Sequence, residues 1–156
     1  LDGQHPCLSD PEPHFRLDLC RMTMPPRIAV TEAQIDRVVA KFYSAVRREP
    51  TLAPIFAAHV TEWPAHEEKI VCFWRNALLL QRSYEGNPMH VHQAAGNVHP
   101  EHFPIWLELF DQILAQELPA DLAQSWSALA HRVGRGLSYG LKPKEAAGAI
   151  PRLSLH

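Results

Sequence analysis

Two histidines carry the chemistry that this chain offers most directly. His66 stands inside an aromatic-rich run from Glu62 to Leu80, and His92 lies beyond a Tyr84-Glu85-Gly86-Asn87-Pro88 break. From those places two imidazoles could approach opposite faces of one flat, buried ligand. Trp63, His66, Ile70, Phe73 and Ala77 recur every three or four residues, which sets His66 on the inward side of a helix. Tyr43 adjoins another apolar stripe through Val39 and Val46. A buried phenol hydroxyl needs a hydrogen-bond partner, and a polar ligand would supply one. A histidine on an apolar stripe is as readily a satisfied core residue, so the pattern alone leaves both roles open for His66.

His92 differs because it follows a helix-stopping segment. It therefore belongs on a short element between two long helices, a placement that presents an imidazole from the opposite wall of a helical pocket. A neutral imidazole is a good iron ligand, and an axial histidine is a standard way of holding heme. His90 is the nearest rival, two residues away and pointing elsewhere on a short helix. His99-Pro100-Glu101-His102 has no zinc-ligand spacing and reads as a polar loop opening the next helix. Cys7, Cys20 and Cys72 are odd in number and far apart, so they form no Cys-x-x-Cys pair. Cys72, in an apolar helix, is expected to be a small buried hydrophobe.

The elements that position these residues follow from periodicity. Thr31-Glu32-Ala33-Gln34 has the form of a capping box, and Ile35, Val38, Val39, Phe42 and Val46 follow at helical spacing until Glu49-Pro50. Thr51 to Phe56 reads as a short turn or helix. The second long helix begins near Thr61 or Glu62, with Pro64 in its first turn, and stops before Gly86-Asn87-Pro88. Trp74, Leu78 and Leu80 widen its buried face. A third long helix starts near Phe103 or Pro104, carries Ile105, Trp106, Leu109, Phe110, Ile113 and Leu114 as a stripe, and breaks at Leu118-Pro119. A fourth runs from about Ala120 to Tyr139 with Leu122, Trp126, Leu129, Val133 and Leu137 inward. No strand-like alternation competes, so the expected class is all-α.

Length and composition bound the remainder. The 156 residues suit one domain, and 46% hydrophobic content is enough for a core. A net charge of -2 gives no bulk attraction to nucleic acid or anionic lipid. No uncharged run is long enough to span a bilayer, so no membrane insertion is expected. Leu1 to Cys20 lack a charged start followed by an apolar core, and a reducing cytoplasm is the simplest expected setting. Residues 1–26 read as an N-terminal extension, 27–142 as the folded domain and 143–156 as a C-terminal tail, with room for one short helix in the tail.

The chain resembles the group III truncated hemoglobins. The resemblance is carried by Phe42-Tyr43 with Val46-Arg47, by Leu52-Ala53-Pro54-Ile55-Phe56, and by Trp63-Pro64-Ala65-His66 with Ile70 and Phe73-Trp74. It continues through Tyr84-Glu85-Gly86-Asn87-Pro88-Met89-His90-Val91-His92 and Phe103-Pro104-Ile105-Trp106-Leu107-Glu108-Leu109-Phe110. These segments keep the family order and spacing from roughly Ile35 to Tyr139. Each is weak alone; the ordered set is specific.

The resemblance implies a shortened globin fold, a two-over-two helical sandwich around heme b. It makes His92 the proximal iron ligand, with Tyr43, His66 and Trp106 on the distal side. Ile70 and Phe73 would line that side, and Phe56 would pack against heme near an inter-helix corner. Tyr43 and Trp106 would donate to a diatomic ligand, and His66 would donate, gate access or bind iron, with a mobile gate expected. Two donors favour slow ligand release, which argues against simple oxygen transport. Dioxygen or nitric oxide chemistry, or peroxidase-like activity, is the implied function. Without a flavin or nicotinamide fingerprint, a nitric oxide dioxygenase would need a separate reductase as electron donor. A gas-binding or gas-sensing module without turnover competes with this reading, as does a helical domain without heme.

Overall fold

The computed structural model describes residues 27–143. Within them the chain forms six helices, α1 Glu32–Val46, α2 Leu52–Ala57, α3 Trp63–Leu79, α4 Pro88–Ala95, α5 His102–Glu117 and α6 Ala120–Leu141, and no strand. The N-terminal extension with Cys7 and Cys20, and the short helix expected in the tail, lie outside the described residues.

α1 starts where the capping box predicts. The Gln34 amide donates to Thr31 Oγ1 at 3.1 Å, and the Thr31 amide donates to Gln34 Oε1 at 2.8 Å. These bonds satisfy two amides that have no intrahelical acceptor. Ile35, Val38, Val39, Phe42 and Val46 then form one buried face. Each such side chain contributes roughly 1.5–3 kcal/mol by leaving water. The helix ends at Val46, three residues before Glu49, which has a separate part. Its carboxylate accepts from the amides of Thr51 and Leu52 and so caps α2 in place of Thr51, whose own side chain makes no cap bond.

α1 packs against α3 and α5, and α5 against α6. The shared core runs through Phe42, Leu78, Phe110 and Trp126, all essentially inaccessible to water. Trp74 stacks on Phe110 at 5.5 Å, and Trp126 meets Phe110 edge-on at 5.7 Å. Ion pairs fasten the rim: Arg75 Nη2 donates to Asp36 Oδ1 at 2.9 Å between α3 and α1, and Arg37 Nε donates to Glu117 Oε2 at 2.8 Å at the end of α5.

The expected buried face of α3 is corrected in two respects. Trp74 and Leu78 are buried, but Ile70, Phe73 and Ala77 are only half-buried. Leu80 lies beyond the helix in left-handed backbone at φ 57° and is exposed, so it does not widen the core face. Helix α3 therefore stops at Leu80, six residues before Gly86, in a conformation that costs a branched residue roughly 1–2 kcal/mol. Cys72 is half-buried rather than buried. On α6, Leu122, Val133 and Leu137 are likewise half-buried, flanking the buried Trp126 and Leu129.

α4 is short and buries no residue. Asn87 caps it by accepting from the His90 amide at 3.2 Å, Pro88 opens it, and Gly96 closes it at φ 76°. It is seated on α6, where Gln93 Nε2 donates to the Gly140 carbonyl at 3.3 Å. A Cβ at Gly140 would collide with the sulfur and terminal methyl of Met89, so the glycine permits the close approach. Among the described residues no helix is long and apolar enough to cross a membrane.

Candidate functional site

α1 and α3 bring Tyr43 and His66 face to edge, with ring centroids 5.0 Å apart at 88°. Phe56, from α2, closes on both, at 5.7 Å from Tyr43 and 5.9 Å from His66. Three residues expected from the sequence thus form one cage. A fourth member is Trp63, which the sequence placed on the same stripe without a role in the site: its ring lies 6.1 Å from Tyr43, 5.9 Å from His66 and 6.4 Å from Phe56. Its spacing accounts for this, since Trp63 precedes His66 by three residues and so shares its helix face.

Burial sets the protonation states in the cage. Tyr43 is 2% exposed. Its phenol pKa is pushed well above the ordinary value, first by burial and then by the Glu67 carboxylate. The hydroxyl is therefore a durable proton donor. His66 is shifted down, first by burial and then by Lys69, so its imidazole is neutral at pH 7.

Three buried polar atoms lack partners among the described residues: His66 Nε2, Arg75 Nε and Trp126 Nε1. Arg75 still bonds Asp36 through its terminal nitrogen, and Trp126 is surrounded by core rings. His66 Nε2 is the one placed among Tyr43, Phe56 and Trp63. An unpaired buried polar atom costs about 1–3 kcal/mol, so its retention in such a cage points to a ligand.

Trp106 joins the cage at one remove. It is half-buried on α5, stacked on Phe110 at 4.9 Å and edge-on to Phe42 at 4.9 Å. Phe42 in turn meets Tyr43 at 5.1 Å. Trp106 makes no ring contact with Tyr43 or His66 among the described residues. Ile70 and Phe73 continue the half-buried stripe beyond His66, with Phe73 meeting Tyr84 edge-on at 5.4 Å.

His92 stands apart on α4, with Phe103 of α5 beside it at 6.1 Å. Its Nδ1 lies 2.6 Å from the Pro88 carbonyl oxygen. A carbonyl only accepts, so Nδ1 carries the proton and the lone pair of the neutral ring is on Nε2. That is the tautomer a metal-ligating imidazole requires, oriented by a backbone carbonyl. His90 is exposed and engages its helix cap only through its backbone. His99 and His102 are occupied with each other, the His99 amide donating to His102 Nδ1 at 3.0 Å.

The profile of the bacterial-like globins matches residues 28–133. The chain belongs to that family. As a globin it is a heme-binding protein for small gas ligands. It is 34% identical over 89 residues to the group 3 truncated hemoglobin of Campylobacter jejuni, a match covering 54% of this chain and 70% of the relative. The crystal structure of a group III truncated hemoglobin from Campylobacter jejuni superposes with a TM-score of 0.70 at 27% identity, covering 77% of this globin and 96% of the other. The six helices are therefore a shortened globin fold, as the ordered motifs implied.

Proposed function

We propose that this globin binds heme b through His92 and uses the Tyr43–His66 cage to hold dioxygen, nitric oxide or a related diatomic ligand. The observation that carries the reading is the His92 tautomer, with Nδ1 committed to Pro88 and Nε2 left basic. Other features fit the group. Helix α4 buries nothing, and the stripe of Ile70, Phe73 and Ala77 stays half-buried beside a fully buried one, as apolar residues facing a large flat ligand would. His66 Nε2 has no partner among the described residues.

Bound heme supplies an open coordination position and redox chemistry. The chain's residues supply orientation and charge. Tyr43 donates from a hydroxyl that burial keeps protonated. Trp106 offers an indole N–H as a second donor from across Phe42. His66, neutral, acts as a mobile gate beside them. Phe56, Ile70 and Phe73 exclude water, which strengthens every hydrogen bond made inside.

Donors that hold a ligand tightly slow its release, so redox, nitric oxide or peroxide chemistry suits this cage better than bulk oxygen transport. Turnover then draws electrons from a separate reductase. A Soret band in the purified protein, lost in His92→Ala, tests the first half of the proposal. Catalytic nitric oxide consumption with a cellular reductase tests the second. Heme retention in His92→Ala with an unchanged iron–histidine vibration refutes the ligand assignment, and stable gas binding without turnover leaves a binding module.

A further inference from the structure

The strongest feature that this function does not use lies just outside the cage. Arg47 follows the last residue of α1 and Glu67 follows His66 on α3. Arg47 Nη2 donates to Glu67 Oε1 at 2.6 Å. The same guanidinium lies over the Trp63 ring, with its central carbon 4.3 Å from the ring centroid. Trp63 also meets the cage, its ring 6.1 Å from Tyr43 and 5.9 Å from His66. Exposure falls steadily inward: the Arg47 side chain is 43% exposed, Trp63 is half-buried, and Tyr43 is 2% exposed. Guanidinium, indole and phenol thus form a chain of contacts from an exposed group to a buried one.

We propose that Arg47 and Glu67 are a clamp that holds the Trp63 indole as the door of the cage, so that the pair governs ligand access to Tyr43 and His66. The inference rests on the heme-binding reading above. A planar guanidinium can cover an indole face while donating in its own plane to a carboxylate, which a lysine ammonium does less well. An ion pair this exposed adds little to stability. Its effect is to fix one ring position, because Trp63, in the first turn of α3, is otherwise held from its inner side by the cage rings. Glu67 also acts inward, being the second cause of the raised Tyr43 pKa. Arg47 and Glu67 are positioning residues; neither touches the ligand.

The test uses the heme-loaded full chain with carbon monoxide as probe. Arg47→Met and Glu67→Gln each remove one charge at nearly constant shape. Bimolecular rebinding after photolysis is expected to speed up about fivefold in each, the scale of an exposed cation–π contact or ion pair. The double variant is expected to be no faster than either single one, because the two act as a unit. The bound carbon monoxide stretch should broaden while the iron–histidine vibration stays put, separating a cage effect from a proximal one. Rebinding rates and carbon monoxide stretches equal to those of the natural protein in both single variants overturn the clamp. The apoprotein supplies an independent reading: the His66 and Trp63 ring-proton resonances should shift in Arg47→Met, and unmoved resonances overturn the clamp whether or not heme binds. A missing Soret band in the natural protein is the separate signature of failure of the heme reading.

Discussion

Replacing Tyr43 by Phe separates a ligand-binding hydroxyl from a structural one. The ring is 2% exposed and makes edge contacts with Phe42, Phe56 and His66, all of which Phe preserves. The hydroxyl makes no hydrogen bond among the described residues, so its removal leaves none of them without a partner. Apoprotein stability should therefore change by less than about 0.5 kcal/mol, as for a substitution that breaks no feature. The ligand complex should behave otherwise. A donor lost from a buried, polar adduct costs about 1–3 kcal/mol when nothing replaces it. At about 1.4 kcal/mol per tenfold, dioxygen should leave roughly five- to 150-fold faster. Stopped-flow displacement of dioxygen by carbon monoxide gives the rate, and urea unfolding of the apoprotein gives the stability. An unchanged dissociation rate with an unchanged carbon monoxide stretch would mean that Tyr43 only packs. A stability loss above about 2 kcal/mol would mean that the hydroxyl has a structural partner. The same measurement on Trp106→Phe, and on the double variant, tests whether the two donors share one ligand, in which case the losses do not add.

Other outcomes follow from the remaining geometry. His66 has a folded-state pKa below its unfolded value of about 6.5, so its contribution to stability is present above that pH and lost as pH falls through the folded pKa. Apoprotein carrying His66→Gln should accordingly lose less stability on acidification, and parallel acid titration curves for the two proteins would contradict the shift. In the ferric holoprotein at neutral pH a substantial high-spin population is expected; a wholly low-spin spectrum that turns high-spin in His66→Ala would make His66 an iron ligand rather than a gate. Gly140→Val should displace the flexible end of the Met89 side chain and leave heme retention near that of the natural protein; rapid heme loss cured by adding Met89→Ala would show that Met89 cannot give way. Leu78→Ala should cost about 2–5 kcal/mol in denaturant unfolding, because that side chain is fully buried between α3 and its neighbours. A cost under 1 kcal/mol would show that the core relaxes around it.

The amino-acid order alone determined the helices and their termini wherever the signal is local. The Thr31–Gln34 box, Pro64 in a first turn and the Leu118-Pro119 break each act through backbone groups a few residues away, so periodicity and capping chemistry suffice to read them. The inward placing of His66, and of Tyr43 beside its own apolar stripe, was legible for a similar reason, while their meeting in one site was implied only by the family resemblance. What tertiary packing decided involves groups distant along the chain. Periodicity could not say that Trp74 and Leu78 are buried while Ile70, Phe73 and Ala77 are half-buried, because both stripes are apolar and the neighbour chooses between them. Nor could it put Phe42 between Tyr43 and Trp106, lay Arg47 over Trp63, or seat α4 on Gly140. Each of these depends on where two helices cross, and a crossing is selected by the volume and shape of the side chains on both partners together. The tautomer of His92 stands between the two cases. Its acceptor, Pro88, is four residues away and was visible in the sequence, but the proton is assigned only once the helix has brought the ring nitrogen to that carbonyl.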